Sequence, residues 1–262
     1  MNLVYKNVPD AFASLNALLA SHGATVDGYL EIFNANITID SPRERIATFR
    51  GDDSCFVPYM ALQWAWYATT NQDTKLKEYY PQGWERAKDG DVNSNYGQYV
   101  WKERQFMHCL KLLRENPNTR RAVMMFNRRD VSMSDTNDHI CTTSLQLLAR
   151  GGKLHLITTM RSNELHFGFR TDVVFFTMIQ EIMAKILGLD VGTYYHNVGS
   201  LHVKKEHITD KHITLIDLPE FHPMELGDIL LLRKFFDPDQ ELEPSIFELT
   251  SLLQQYLKFF KT

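Results

Sequence analysis

Residues 136–146, TNDHICTTSLQ, set Cys141 between a polar, turn-like run and a segment that alternates like a strand. A thiolate in such a place is a nucleophile, provided that nearby positive charge lowers its pKa from about 8.5. In TTMRSNELHFGFRTD, the residues Arg161, Ser162, Asn163 and Glu164 interrupt an otherwise apolar run. Charged groups are costly to bury unpaired, so this interruption needs partners, either within the fold or in a ligand. Arg120 and Arg121 stand together at the mouth of RRAVMMF. Adjacent strand residues point to opposite faces, so the two do not simply serve one internal salt bridge. Their planar forks suit bidentate phosphate binding. The candidate chemistry is covalent attack by a thiol on a ligand anchored through an anion. The plain alternative is that Cys141 is a small buried apolar residue.

Other signatures are missing from the sequence. It has no GxxxxGK[ST] phosphate loop, no strand-linked GxGxxG, no HExxH and no CxxC. His202, His207 and His212 recur at intervals that do not stack them on one helical face, so no metal site is expected.

The elements that must position these residues follow from pattern. PDAFASLNALLASHG reads as an amphipathic helix with Pro at its start and Gly23 at its end. GYLEIFNANITID alternates as a strand. DSCFVPYMALQWAWYATTN predicts a buried helix, and GQYVWKERQFMHCLKLLREN a second strong one. TSLQLLAR and KLHLITTMR are strands joined through Gly151-Gly152, a hairpin signature. TDVVFFTMIQEIMAKILGLD is apolar on nearly every side and predicts a helix inside the fold. TYYHNVGSLHV returns to strand, and PSIFELTSLLQQYLKFF predicts an amphipathic C-terminal helix. Strands and long helices mix without regular βα alternation, which points to an α+β fold. No repeat or Ser/Gly linker divides the chain, so a single domain over residues 1–262 is expected.

The length allows a sizeable core. A net charge of −4 gives no electrostatic footprint for nucleic acid, so a small-molecule ligand is expected. The three cysteines, Cys55, Cys109 and Cys141, are widely separated, which suits free thiols in a reducing cytoplasm. MNLVYKNVPDAF lacks a secretion pattern, and no apolar run is long enough for a membrane span.

GDVNSNYGQYVW, NPNTRR, HICTTSLQ, MRSNELHFGFRTD and HNVGSLHV occur in that order. Together they resemble the thymidylate synthase superfamily, most closely its deoxycytidylate hydroxymethylase branch, firmly over residues 91–207 and more weakly over 27–90. The resemblance implies a homodimer with sheets packed back to back and arginines shared across the interface. It implies methylenetetrahydrofolate as co-substrate and Cys141 as the nucleophile. Arg161 and Ser162 then bind phosphate within one subunit, and Arg120 and Arg121 reach in from the other. Tyr96 lies near the reacting ring and His202 on the sugar. Asn163 and Glu164 fall where the family contacts folate and structural water, with Trp84 on the folate side as well. One arginine of SPRERIATFRG (Arg43, Arg45 or Arg50) would supply an early phosphate contact.

The resemblance also implies how the product is chosen. Attack by Cys141 on carbon 6 of a pyrimidine makes carbon 5 enamine-like, able to attack a methylene donor. Asp172 stands where uracil-using members have asparagine. A carboxylate accepts from the exocyclic amino group of cytosine, which points to a cytosine nucleotide, dCMP or CMP; a helix N-cap is the plainer role for the same residue. Water addition to the exocyclic methylene gives a hydroxymethyl product, and hydride transfer gives a methyl one. Two positions depart from the family. Gln63, in ALQWAWY, stands where the family has a proton-relaying glutamate, which leaves a nucleotide-binding relative without turnover as an alternative. Lys204 replaces a tyrosine that bonds the sugar, so either CMP is admitted as substrate or this lysine simply faces solvent.

Overall fold

The computed structural model of the protein describes residues 2–49, 56–69, 93–133, 138–208 and 213–215. In chain order the elements are β1 (Asn2–Tyr5), α1 (Val8–His22), β2 (Ala24–Val26), β3 (Tyr29–Ile39), α2 (Phe56–Thr69), a π-helical turn (Gln98–Lys102) and α3 (Gln105–Glu115). Then come β4 (Val123–Met125), α4 (Arg129–Ser132), β5 (Thr142–Arg150), β6 (Lys153–Glu164), a second π-helical turn (Leu165–Phe169), α5 (Arg170–Leu187) and β7 (Asp190–Lys204). The fold is α+β, as the sequence predicts. Two units alternate along the chain. One comprises Met1–Asp52, Cys109–Val123 and Cys141–Leu218, the other Asp53–His108, Met124–Ile140 and Pro219–Thr262. The predicted C-terminal helix and Arg50, Cys55 and Trp84 lie outside the described residues.

The first unit carries the sheet, ordered β1-β3-β7-β6-β5 with β2 added on β3; the short β4 continues the order as the chain leaves this unit. The sheet is mixed. β3 pairs antiparallel with β7 and β5 with β6, whereas β1–β3 and β6–β7 are parallel. Gly151 and Gly152 take φ of 56° and 75°, the left-handed pair that a two-residue hairpin requires, and they fix the β5–β6 register. α1 starts on Asn7, whose side chain accepts from Asp10 N at 2.8 Å, with Pro9 in the first turn. Its buried residues Val8, Ala11, Phe12, Leu15 and Leu19 recur at helical spacing and form one stripe.

α5 is buried from Arg170 through Ala184, which matches its lack of a polar face. Gln180 Nε2 ties it to the main-chain oxygens of Leu154 and Gly192, each at 2.9 Å. The buried Glu181 accepts from Arg45, also buried, and its other oxygen lies 3.5 Å from Arg43 Nε. Arg45 is therefore committed to a structural ion pair inside the fold. The buried Arg170 guanidinium lies over the rings of Phe12 and Phe49, at 5.1 and 5.2 Å. Among the described residues no helix is long and apolar enough to cross a membrane.

The open face of this sheet differs from the core face. Leu147, Leu156, Tyr194 and Ile37 point inward, while Gln146, Ile157, Tyr195 and Thr38 make a half-exposed row across β5, β6, β7 and β3. Near the site the in–out alternation skips a position. On β6 the buried series Leu154, Leu156, Thr158, Met160 is followed by Asn163, and on β7 Tyr194, His196, Val198 is followed by Leu201 and Val203. At that level Asn34 of β3 takes a left-handed φ of 51°. A Cβ on Gly199 would lie 2.8 Å from the Arg161 carbonyl oxygen, so this close approach requires glycine.

In the second unit, one predicted helix is two elements. After the π-helical turn the chain breaks at Arg104, with φ of 60°, before α3 begins. The Gln105 side chain accepts from Met125 N at 2.7 Å and donates to Met125 O at 2.9 Å, acting as a strand neighbour. Glu103, beside the break, takes a two-pronged contact from Arg128 at 2.6 and 2.9 Å.

Two histidines, the half-buried His166 and the wholly buried His196, make stability depend on pH. His166 bonds Asn16 Oδ1 at 2.7 Å, and its pKa is lowered to about 4 by burial, then by the charges of Arg170 and His207. Burial lowers His196 to about 3. Both folded values lie below the unfolded value, so the contribution is complete above about pH 6.5 and is lost as pH falls toward about 4. At about pH 5 each costs on the order of 2 kcal/mol. The urea midpoint is expected to drop between about pH 7.5 and about pH 5, with His166→Asn removing about half of the drop. A midpoint that does not move over this range contradicts the assignment.

Candidate active site

The β5–β6 hairpin sets Cys141 against Arg161. Cys141 immediately precedes β5, and its carbonyl oxygen accepts from Arg161 N at 2.9 Å. The thiol is in no disulfide among the described residues and is half-buried. Cys109 is in no disulfide either but is buried in α3, and burial pushes its pKa up to about 12, so no thiolate forms there near neutrality. Of the two, only Cys141 has access to a ligand.

The last four residues of β6 carry the polar run. Arg161 is exposed, Ser162 and Glu164 half-buried and Asn163 buried. Ser162 pairs with Ser200 across β7, Asn163 with Leu201 and Glu164 with His202. His202 also pairs with Glu31 of β3 and meets the Tyr29 ring edge-on at 5.3 Å. Ser200 Oγ donates to the Glu31 carboxylate. Glu164 Oε2 accepts from Phe167 N at 2.6 Å and so caps the second π-helical turn. Its Oε1 is a buried acceptor with no hydrogen bond among the described residues. That orphan oxygen could accept from a ligand N–H.

Asp172 lies in the first turn of α5, buried, where a negative charge is favoured by the helix dipole. The N-cap position of α5 is Phe169, so Asp172 is not its N-cap. Its Oδ2 accepts from Asn163 Nδ2 at 2.9 Å. Asn163 Oδ1 lies 3.0 Å from His196 Nε2, and His196 Nδ1 lies 2.8 Å from Tyr194 Oη. Neither His196 nor Tyr194 is among the residues expected from sequence. The available signal was a histidine at an inward position of an alternating strand.

Arg120 and Arg121 are exposed and precede β4 rather than lying in it. The opposite-faces expectation therefore gives way to a loop. Arg121 N donates to Thr119 Oγ1 at 3.2 Å, and Arg120 O accepts from Gln146 Nε2 at 2.9 Å. Lys204, at the end of β7, is exposed with Nζ 3.5 Å from Glu206, which favours its solvent-facing role.

Gln63 and Tyr96 belong to the second unit, where Tyr67 connects them. Gln63 Nε2 donates to Tyr67 Oη at 2.9 Å, and the Tyr67 ring stacks on Tyr96 at 4.9 Å. Phe126 closes edge-on against Tyr96 at 5.4 Å. Gln63 Oε1 is buried without a hydrogen-bond partner among the described residues.

The thymidylate synthase family model matches residues 32–226, well over half of the sequence. The chain belongs to the thymidylate synthase family. The match continues past residue 207, farther than the sequence motifs alone reach. Its relatives are one-carbon transferases. The deoxycytidylate 5-hydroxymethyltransferase of Enterobacteria phage T2 is 28% identical over 191 residues, 68% of this chain and 76% of that protein. The phage T4 protein of that name is 29% identical over 188 residues, 67% of this chain and 75% of that one. Thymidylate synthase 1 of Bacillus spizizenii is 29% identical over 189 residues, 67% and 66% of the two chains. The thermostable thymidylate synthase A from Bacillus subtilis shares the fold, with a TM-score of 0.60 at 22% identity over 78% of this chain and 82% of that one.

Proposed function

We propose that this thymidylate synthase family member hydroxymethylates carbon 5 of a cytidine monophosphate, dCMP or CMP, with methylenetetrahydrofolate as co-substrate and residues 1–262 acting as one domain. The observation that carries it is the half-buried Cys141, whose main chain is bonded to that of Arg161. Cys141 Sγ bonds carbon 6 of the ring, and the electron pair moves to carbon 5. Arg161 and Ser162, with Arg120 and Arg121, hold the phosphate, and His202 faces the sugar, while Lys204 keeps to solvent beside Glu206. Methylenetetrahydrofolate supplies the one-carbon unit, and Glu164 and Trp84 are the residues that would hold it. Carbon 5 would bond that one-carbon unit and lose its proton to water, and tetrahydrofolate would leave with the electron pair of the broken carbon–nitrogen bond, which leaves an exocyclic methylene on the ring. Water adds to the exocyclic methylene, and the carbon–sulfur bond breaks to release the thiolate. Tyr96 and Gln63 act beside the ring. Asp172 selects cytosine by accepting from its exocyclic amino group.

A homodimer completes this reading, with the half-exposed row through Tyr195 and Ile157 as the back-to-back surface. The arginine loop before β4 then serves the partner's site.

Two observations favour second readings. Relatives named thymidylate synthase keep a methyl product open. Glutamine at position 63 cannot exchange a proton near neutrality, and general acid–base help is typically worth about 10²–10⁴-fold, which favours binding without turnover. Mass analysis of the products from dCMP, CMP and dUMP in competition decides among them. A hydroxymethylated cytidylate is expected. A methylated product selects the first alternative, and tight binding with no product selects the second.

A further inference from the structure

Tyr194, His196, Asn163 and Asp172 form one unbroken hydrogen-bonded line through the interior of the first unit. Tyr194 and His196 are wholly buried, and Asn163 and Asp172 nearly so. The line has a direction, and one end dictates it. An ionised carboxylate only accepts, so Asn163 must face Asp172 with its amide nitrogen. The amide oxygen is thereby turned to His196, which must carry its proton on Nε2 to donate to it. His196 Nδ1 is then an acceptor and takes the Tyr194 hydroxyl proton. Burial holds His196 at about 3 and raises Tyr194 well above its ordinary value, so both stay neutral near pH 7.

Packing keeps the line in register. Phe169 meets the His196 ring edge-on at 5.3 Å. A Cβ on Gly168 would lie 2.9 Å from Asn163 Nδ2, so a side chain there would press directly on the amide that faces Asp172. Asn163 sits on β6, His196 and Tyr194 on β7 and Asp172 on α5. The line thus joins two strands and a helix through polar atoms that would each be costly to leave unpaired.

We propose that Tyr194, His196 and Asn163 are positioning residues that hold the Asp172 carboxylate as a fixed, acceptor-only group, and that base selection depends on them. This rests on the assignment of Asp172 to the cytosine edge. With Oδ2 engaged by Asn163, the carboxylate plane cannot rotate without breaking a charge-assisted bond. A fixed acceptor matches the amino group of cytosine and repels the carbonyl oxygen that uracil presents at that position. Once the line is cut, Oδ2 loses an oriented donor, and a carboxylate held less firmly sets its acceptor less squarely against that carbonyl. Discrimination against uracil falls.

The test is calorimetric affinity of the full chain for dCMP and dUMP, which does not require turnover. The variants are Asp172→Asn, His196→Phe, Tyr194→Phe and the Asp172→Asn/His196→Phe double. His196→Phe is expected to lower the dCMP-to-dUMP affinity ratio by about tenfold, the worth of one hydrogen bond to a charged group. Tyr194→Phe lowers it by less, and His196→Phe adds nothing once Asp172 is neutral. A ratio unmoved by Asp172→Asn sinks the base assignment itself. A ratio moved by Asp172→Asn but not by His196→Phe or Tyr194→Phe sinks the positioning role alone. If near-ultraviolet circular dichroism shows His196→Phe unfolded, Tyr194→Phe decides, and an unchanged ratio there overturns the proposal.

Discussion

Cys141→Ser abolishes folate-dependent release of tritium from carbon 5 of labelled dCMP or CMP, a loss on the order of 10⁴-fold or more. Carbon 5 of a pyrimidine is a poor nucleophile until carbon 6 is saturated, and only a thiolate does this readily near neutrality. A serine hydroxyl is far less acidic and has no comparable anion population. The substitution is nearly isosteric and leaves the main-chain bond between Cys141 O and Arg161 N in place. Nucleotide affinity should therefore change little while exchange disappears, which separates lost chemistry from lost folding. Cys109→Ser is the matched control. Its thiol is buried and its pKa raised to about 12, so exchange should persist in that variant. Exchange that survives Cys141→Ser at its native rate would rule out covalent attack through this sulfur.

Asp172→Asn moves the preference from cytidylate toward uridylate, with a swing in relative kcat/KM of about 10²–10³. Asn163 Nδ2 already donates to this position at 2.9 Å. A carboxamide there turns its oxygen to that donor, which leaves its amide hydrogens for a carbonyl on the ligand. Uracil supplies that carbonyl. Cytosine puts an amino group in the same place and meets donor with donor, so each base gains or loses about one buried hydrogen bond. The volume is conserved, so the core around α5 has no reason to collapse. Competition between dCMP and dUMP in one reaction reads the swing directly, and unchanged selectivity removes the basis for naming cytosine.

Much of the fold was written in local pattern. The Gly151-Gly152 pair announced the hairpin, the apolar wrap of TDVVFFTMIQEIMAKIL announced an interior helix, and Asn7 with Pro9 marked the start of α1. The family motifs led to Cys141 and Arg161, which β5 and β6 do place side by side. What stayed hidden depends on partners distant in sequence. The break at Arg104 follows from Gln105 reaching Met125, and no local periodicity announces a side chain that takes a strand's place. Arg120 and Arg121 read as strand residues because the apolar run begins right after them. The structure instead holds them in a loop that Arg150 fastens through the Pro117 and Asn118 carbonyls, at 3.2 and 3.1 Å. His196 was visible as an inward residue, but only the fold shows that Asn163 is its neighbour.

One strand touches nearly every part of this site. β6 lies between β5 and β7, so its final residues face Cys141 on one flank and the Ser200–His202 stretch on the other. Strand geometry has a period of two, so adding or removing a single residue at the distant Gly-Gly corner would turn the whole polar run inside out. The placement of the polar run is thus hostage to a tight bend at the opposite end of its strand. Loops near the reacting groups can lengthen or shorten through evolution, whereas that remote corner must keep its count.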